Sequence, residues 1–274
     1  MKDTWFFTDI HGNWNLFNKI MRMIPQDDTI VFGGDACDRG DDGFMIMSLL
    51  SNNLRTVYLK GNHEQMFVNA ARAIINENGG KHNIKNPDVY KIFEKAEDNP
   101  DVRLSVYNGG MRTLLDWIQA GMKMNIIQEI ENLPLTYSYE YMDFCHAGGV
   151  YSVFYRTTDA EYSGKIIDPC DEHDILWNRN AIAYGWQNDR VCIHGHTPVA
   201  SLPSRFHMGR GDLDTNPIPI VYIGDFDDKF TGKKVDMDAG TYYSNKAFLL
   251  NCTTRKVYIF NTKDNKYITK QLDI

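Results

Sequence analysis

The chain has 274 residues, of which 43% are hydrophobic and 24% are charged, so its composition is that of an ordinary globular protein. Collagen-like, coiled-coil and mostly disordered chains are excluded, and no apolar run reaches the roughly 18 residues that a transmembrane helix needs. The net charge of −7, from 29 Lys and Arg against 36 Asp and Glu, disfavours non-specific binding to nucleic acids or anionic membranes.

The first third of the chain predicts strands and helices in alternation. Short apolar runs indicate strands, and apolar residues at a helical spacing indicate helices. Asn13 is a suitable N-cap for the first helix, and Pro25 is a suitable residue after its end. The predicted strands are 4–9, 29–33 and 55–59, and the predicted helices are 14–24, 43–51 and 64–76. This order predicts a mixed or parallel sheet that is covered by helices.

The rest of the chain changes from helical to strand-rich. Residues 77–132 are predicted to form helices and loops, with helices over 111–120 and 125–132. Later strands are predicted over 135–140, 143–146, 190–194, 219–223, 234–238, 247–251, 256–261 and 267–272. Residues 203–233 are rich in Gly, Asp and Pro and are predicted to be irregular, either as a flap beside the site or as a plain loop. No repeat or linker is evident, so we expect one domain over 1–274.

The cysteines indicate a reducing environment. There are five of them, widely spaced and without a C-x-x-C motif. This pattern favours free thiols over a disulfide framework or a thiolate zinc site. The first residues also show no apolar core or cleavage signature of a secretory signal. We therefore expect a cytoplasmic protein.

Five short polar motifs each begin where a predicted strand ends. They are DIHG at 9–12, GDACDRG at 34–40, GNHE at 61–64, HAG at 146–148 and HGHT at 194–197. Because the carboxyl ends of strands in α/β sheets form ligand sites, these motifs can converge on one crevice. Asp, His and Asn are ligands for hard or borderline divalent metals, and the neighbouring glycines permit tight turns. Each motif alone occurs by chance, but the ordered set predicts a metal site.

The ordered motifs resemble those of the calcineurin-like metallophosphoesterases, and within them the phosphoprotein phosphatase family. The similarity is strongest to the branch that holds the Ser/Thr phosphatases of bacteriophage lambda and of bacteria. Its further marks are GNHEQM at 61–66, NGG at 108–110, WNR at 177–179 and GHTP at 195–198. It covers about residues 4–250. The resemblance implies a four-layer α-β-β-α sandwich of two mixed sheets, with a dinuclear metal site at the strand ends.

The resemblance also implies the ligands of two divalent metal ions. These are Asp9 and His11 for the first metal, Asn62, His146 and His196 for the second, and Asp35 as a bridge between both. Two cations held about 3.5–4 Å apart lower the pKa of a shared water, so that a hydroxide can attack phosphorus in line. We expect manganese in this site, and iron or zinc is compatible with the same ligands.

The same resemblance implies catalytic roles for four further residues. His63 would protonate the departing alkoxide as the general acid, and Asp38 would orient its ring. Arg39 and Arg179 would bind the non-bridging phosphate oxygens and stabilise charge in the transition state.

Three positions qualify the resemblance. Lys60 stands where lambda-type enzymes have an arginine before GNH, so we expect no bidentate phosphate contact there. Pro198 follows His196 and Thr197 where many broader relatives have G-H-x-H, so we expect no second C-terminal histidine on the first metal. His194 is predicted to support the site without binding a metal.

The predicted function is a metal-dependent phosphomonoesterase that acts on phosphoserine and phosphothreonine, with a phosphoprotein or a small phosphoester as its substrate. One alternative is a symmetrical diadenosine tetraphosphate hydrolase, for which we would expect aspartate at position 64 and none at position 38. Another is a non-catalytic metal-binding scaffold. The intact set of His63, Asp38 and Arg39 disfavours the scaffold. We expect neither nucleic acid nor membrane as a partner.

Overall fold

The chain builds two β-sheets that pack face to face, with helices on their outer sides. The computed structural model describes residues 2–148, 172–179, 186, 189–202, 216–223, 232–264 and 266–274. Most of 203–233 lies outside these residues, so the prediction of a flap or loop there stays a prediction, and Cys170 lies outside them as well. The four cysteines that are described are free and buried.

The strands of the described residues lie close to their predicted positions. They are β1 (Thr4–Phe7), β2 (Thr29–Phe32), β3 (Thr56–Tyr58), β4 (Thr136–Tyr139), β5 (Met142–Cys145), β6 (Val191–His194), β7 (Ile220–Tyr222), β8 (Lys234–Asp236), β9 (Lys246–Asn251), β10 (Lys256–Asn261) and β11 (Tyr267–Gln271). The predicted β-rich second half is therefore confirmed.

The helices include several that the sequence patterns did not separate. They are α1 (Trp14–Met23), α2 (Gly43–Ser51), α3 (Asn62–Glu77), α4 (Val89–Glu94), α5 (Pro100–Tyr107), α6 (Met111–Gln119), α7 (Met124–Glu131), α8 (Glu172–Trp177) and α9 (Thr241–Ser244). Asn13 caps α1 as predicted, because its side chain accepts from the backbone N–H of Leu16. None of the described helices combines the length and the apolar character that crossing a bilayer requires.

Helix α3 begins two residues earlier than predicted. The N-cap is Gly61, and the Glu64 side chain accepts from its backbone N–H at 2.9 Å. This bond is half of a capping box, and it draws Asn62 and His63 into the first helical turn. Both side chains therefore stand on a rigid helix end instead of a free turn.

Both sheets are mixed, as predicted. The first sheet has the strand order β11-β10-β9-β1-β2-β3, and the second has the order β4-β5-β6-β8-β7. Parallel pairing joins β1 to β2 and β2 to β3 in the first sheet. It also joins β5 to β6 and β6 to β8 in the second. Within each sheet these parallel strands end at a common edge, and the polar motifs follow there.

Alternating residues of β1 show why the fold has four layers. Phe6 points into the core between the sheets, where its ring stacks on Phe144 at 5.1 Å. Phe7 points to the opposite side, into the core under the helices, and lies 4.9 Å from the ring of Phe32. On the outer side of the second sheet, Ile175 of α8 packs in a third apolar cluster. The predicted four-layer sandwich is thus confirmed.

We expect Phe144→Ala to lower the free energy of unfolding by about 3–5 kcal/mol, since it leaves a cavity in the core between the sheets. Urea unfolding followed by circular dichroism measures this loss. The control is Leu54→Ala, whose side chain is fully exposed and whose loss should stay within about 0.5 kcal/mol. Similar losses in the two variants would contradict the assignment of this core.

Candidate dinuclear metal centre

The predicted site residues share an unusual backbone conformation. Six of them have a positive φ, between 44° and 69°, although none is glycine: Asp9, His11, Asp35, Asp38, Arg39 and His196. This left-handed conformation costs about 1–3 kcal/mol per residue and persists only where the surrounding structure enforces it. Six further non-glycine residues with a positive φ are scattered over turns elsewhere, whereas these six belong to the predicted site.

Backbone hydrogen bonds and one close approach enforce these strained turns. The N–H groups of Asp9 and His11 donate to the carbonyls of Gly34 and Asp35, each at 3.0 Å, so the turns after β1 and β2 run side by side. Gly195 lies directly against the first of these turns. A Cβ atom at Gly195 would lie 2.0 Å from Oδ2 of Asp9, which only glycine avoids.

Asp35 occupies the centre of the site. Its Oδ2 lies 3.7 Å from Nε2 of His11 and 3.8 Å from Nε2 of His63. Its Oδ1 lies 3.3 Å from Nε2 of His146. Two groups of potential metal ligands therefore share this carboxylate: His11, Asp35 and His63 in one, and Asp35, His146 and His196 in the other. A carboxylate with one oxygen in each group has the arrangement of a bridging ligand.

Two imidazole rings are oriented by backbone carbonyls. Nδ1 of His11 lies 3.1 Å from the carbonyl of Cys37, and Nδ1 of His146 lies 2.8 Å from the carbonyl of Gly33. A carbonyl can only accept, so in both rings Nδ1 carries the proton and donates it. The Nε2 atoms are thereby directed toward Asp35, which is how supporting hydrogen bonds set up histidine ligands.

The second group has the character of a cation site. Oδ1 of Asn62 lies 3.0 Å from Nε2 of His146 and 3.1 Å from Nδ1 of His196. Burial lowers the pKa of His146, but the carboxylates of Asp35 and Asp9 outweigh it and raise this pKa to about 10. The same field that favours a proton on His146 favours a metal ion between these ligands, so the residues fit the predicted metal.

Asp9 lies beside the second group and is also buried. Its Oδ2 accepts from the hydroxyl of Thr8 at 2.6 Å, and both its oxygens lie 3.2 Å from the backbone N of His196. Burial, and then the charge of Asp238, raises the pKa of Asp9 well above its ordinary value. The negative charges of Asp9, Asp238 and Asp35 repel one another, and burying them destabilises the fold unless a cation is nearby. A metal ion would relieve this repulsion.

His63 has a different set of partners from the other histidines. Its Nδ1 lies 2.8 Å from Oδ2 of Asp38, and its Nε2 lies 3.1 Å from Nη2 of Arg39. Burial lowers the pKa of His63, but Asp35 and the hydrogen-bonded Asp38 raise it above the ordinary value. The centroid of the His63 ring also lies 4.7 Å from that of the His11 ring. The position of His63 therefore suits a metal ligand as well as a general acid.

The two arginines differ in how they are held. Arg39 is half-buried, and its backbone N–H donates to the carbonyl of Gly109 at 2.9 Å. Arg179 is exposed and follows α8. The pKa of His196 lies well below its ordinary value, mainly because the ring is buried and His146 is close. The positive charge of Arg179 lowers this pKa further, so Arg179 acts electrostatically on the site.

Lys60 is engaged in an ion pair with Glu172. It is 5% exposed, and its Nζ donates to Oε1 of Glu172 at 2.8 Å. Glu172 is the first residue of α8, the helix that leads to Arg179. The pattern GNH did not reveal this ion pair, because its partner lies more than a hundred residues away in the chain.

His194 lies outside both ligand groups. Its Nε2 accepts from the hydroxyl of Tyr222 at 2.8 Å, and its Nδ1 donates to the carbonyl of Gly195 at 3.1 Å. Burial lowers its pKa to about 3, so the ring is neutral. Sequence reasoning also missed Thr113, whose Oγ1 accepts from the backbone N–H of Asp38 at 3.1 Å, since nothing in the sequence links the two positions.

Comparison with known proteins places this geometry in a family. The model of the calcineurin-like phosphoesterases matches residues 3–227, a stretch that contains every predicted metal ligand and catalytic residue. The chain belongs to this family. It is therefore a phosphoester hydrolase, and the family implies a dinuclear divalent metal site.

Individual relatives of this calcineurin-like phosphoesterase are distant. Serine/threonine-protein phosphatase 1 of Salmonella typhimurium is 38% identical over 72 residues, which make up 25% of this chain and 33% of that protein. The match thus spans a third of the relative's length.

Solved structures resemble the chain over most of its length. The cold-active protein-tyrosine phosphatase of a psychrophilic Shewanella species is 15% identical, with a TM-score of 0.49, and the alignment covers 99% of this chain and 81% of that one. A metallophosphoesterase from Sphaerobacter thermophilus is 14% identical, with a TM-score of 0.45, and covers 97% and 86%.

We expect Asp35→Asn to lower the binding affinity for both metal ions, by at least about 100-fold each. Residues that only support the ligands typically account for about 10–100-fold in metal affinity, and a shared ligand should account for more. Calorimetric titration with manganese measures both affinities, and chelation should abolish activity. As a contrast, His196→Ala removes a ligand from one group and should weaken mainly one ion. One ion retained at full affinity in Asp35→Asn would argue against a bridge.

Proposed function

We propose that this calcineurin-like phosphoesterase is a Ser/Thr protein phosphatase that hydrolyses phosphoserine and phosphothreonine with two divalent metal ions, preferably manganese. Asp9 and His11 would hold one ion, Asn62, His146 and His196 the other, and Asp35 both. When bound, the metal pair would supply Lewis acidity toward the phosphate and toward water at neutral pH.

The pair of His63 and Asp38 carries this proposal. Serine and threonine leave as alkoxides, which are poor leaving groups unless a proton reaches them during cleavage. His63 could supply that proton from Nε2 once Arg39, which now donates to this atom at 3.1 Å, binds the phosphate instead. Asp38 accepts from Nδ1 at 2.8 Å, and the carboxylates raise the pKa of the ring. After donation, Nδ1–H still bonds Asp38, so the ring stays oriented.

The same pair favours an alkyl ester over a dinucleoside polyphosphate. When diadenosine tetraphosphate is cleaved, the departing group is itself a phosphate, which leaves readily without a proton. A buried acid held by its own carboxylate contributes little to that reaction. His63 and Asp38 therefore support phosphomonoester hydrolysis.

Arg39 and Arg179 would bind the phosphoryl oxygens. Arg39 would lie beside the departing oxygen if His63 protonates it, because Nη2 of Arg39 lies 3.1 Å from Nε2 of His63. A guanidinium can bind two phosphate oxygens at once and stabilises charge as it develops in the transition state. Arg179 would approach from the residues that follow α8.

A substrate panel tests the proposal as a whole. With added manganese, the protein should be assayed on a phosphothreonine peptide, a phosphotyrosine peptide, diadenosine tetraphosphate and a cyclic nucleotide. We expect the highest kcat/KM on the phosphothreonine peptide. Faster hydrolysis of diadenosine tetraphosphate would instead establish the alternative function, and no hydrolysis of any substrate with two metals bound would indicate a scaffold.

We expect His63→Asn to keep both metals and to lower kcat on an alkyl phosphate by about 10²–10⁴-fold, the usual contribution of general acid catalysis. The loss should be smaller on nitrophenyl phosphate, whose leaving group needs little protonation. Steady-state kinetics on both substrates, with metal analysis of the same samples, measures the contrast. Equal losses with metals bound would exclude the acid role, and loss of a metal would make His63 a ligand.

We expect Arg39→Ala and Arg179→Ala each to lose about 2–4 kcal/mol of transition-state stabilisation, as for other preorganised charge stabilisers. Inhibition by inorganic phosphate should weaken in parallel, because product and transition state share the phosphoryl oxygens. The control is Arg72→Ala, which removes an exposed arginine paired with Glu131. An unchanged kcat/KM in Arg179→Ala would mean that this residue does not reach the phosphate.

A further inference from the structure

Glu64 is a completely buried carboxylate that accepts four hydrogen bonds from backbone N–H groups and a hydroxyl, and a fifth, longer one at Oε1 from the thiol of Cys37 at 4.0 Å. Its Oε2 accepts from the backbone N–H groups of Asp35 and Gly61, at 2.8 and 2.9 Å. Its Oε1 accepts from the backbone N–H of Ala36 at 2.8 Å and from the hydroxyl of Tyr58 at 2.7 Å. Both oxygens are thus fully used, and none of these donors is a charged group.

Helix capping accounts for only one of these bonds. A capping box needs only the bond from Glu64 to the backbone N–H of Gly61. The bonds to Asp35 and Ala36 reach a different segment, the turn that follows β2. Glu64 therefore joins the turn of the shared carboxylate to the start of α3, which carries Asn62.

The backbone of Asp35 requires such support. Its φ is 60°, a conformation that non-glycine residues adopt only under constraint. Two N–H groups of this turn, those of Asp35 and Ala36, donate to the two oxygens of one rigid carboxylate. A second link runs in the other direction, because the backbone N–H of His63 donates to Oδ1 of Asp35 at 3.1 Å.

We propose that Glu64, itself held by Tyr58, is the positioning residue that sets Asp35 against Asn62 at the spacing needed for a metal pair. This inference rests on the proposed two-metal function. Glu64 does not bind a metal, since its oxygens are occupied by the four donors. Its effect on the metals passes through the backbone of Asp35 and Gly61.

The set of bonds by which Glu64 holds Asp35, Ala36 and Gly61, which we call the clamp, requires a carboxylate. In Glu64→Gln the amide keeps one acceptor oxygen but turns an NH₂ group toward N–H donors, so at least one turn loses its acceptor. In Tyr58→Phe the three backbone bonds remain and only the hydroxyl is lost. The two variants therefore weaken the clamp to different degrees.

The test measures manganese binding by calorimetry, together with the electron paramagnetic resonance signal of the coupled manganese pair. We expect Glu64→Gln to lose about 10–100-fold in affinity at both sites and to lose the coupled signal. Tyr58→Phe should lose about 2–10-fold in affinity at both sites, which is what one hydrogen bond is typically worth. Asp28→Asn is the control, because Asp28 is also a buried carboxylate that accepts from a backbone N–H and an aromatic side chain, those of Asp3 and Trp5. It should lower stability without changing either affinity.

The outcomes separate this inference from the proposed function. If the wild-type protein binds no metal pair, the proposed function fails. If it binds the pair and Glu64→Gln binds it with the same affinities and signal, the clamp is overturned. Should Glu64→Gln fail to fold, Tyr58→Phe decides, and unchanged affinities in that variant would overturn the proposal. A loss as large in Asp28→Asn would show a general effect of stability.

Discussion

The site depends on the contacts that the carboxylate of Asp35 makes. Asp35 follows a strand of the first sheet, yet its Oδ1 lies 3.3 Å from Nε2 of His146, which follows a strand of the second. Its other oxygen faces His11 and His63 at 3.7 and 3.8 Å. One side chain thus lies between histidines from both halves of the chain. Burial raises the pKa of this carboxyl, but His146 and then His63 outweigh burial and hold the pKa well below its ordinary value.

This arrangement is stabilised by the packing of the two sheets. Positive φ angles at six site residues and a cluster of buried acids all destabilise the folded state locally. The core between the sheets, with Phe6 stacked on Phe144, and the helical layer over Phe7 offset these costs. The strained site residues lie at strand ends, where they direct side chains to a common point.

Local patterns predicted most of the fold, and the exceptions have specific causes. Asn13 and the apolar spacing after it defined α1, and alternating runs located the strands. Helix α3 begins earlier than its apolar pattern, because Glu64 bonds the backbone N–H of Gly61 and caps the helix. Helix α5 begins with Asn99 as its cap and Pro100 at its first position, a recognisable start signal that its weakly periodic pattern obscured.

The sequence by itself determined the order of the motifs, the residue types that can hold metals and the family to which the chain belongs. Only the tertiary structure decided which atoms meet: that both oxygens of Asp35 are shared, that Lys60 bonds Glu172, and that Tyr58 and Glu64 hold the turn of Asp35. These contacts depend on the relative placement of strands and helices that are distant in the chain. Spacing along one segment carries no information about that placement, because it is set by how the two sheets and their helices pack.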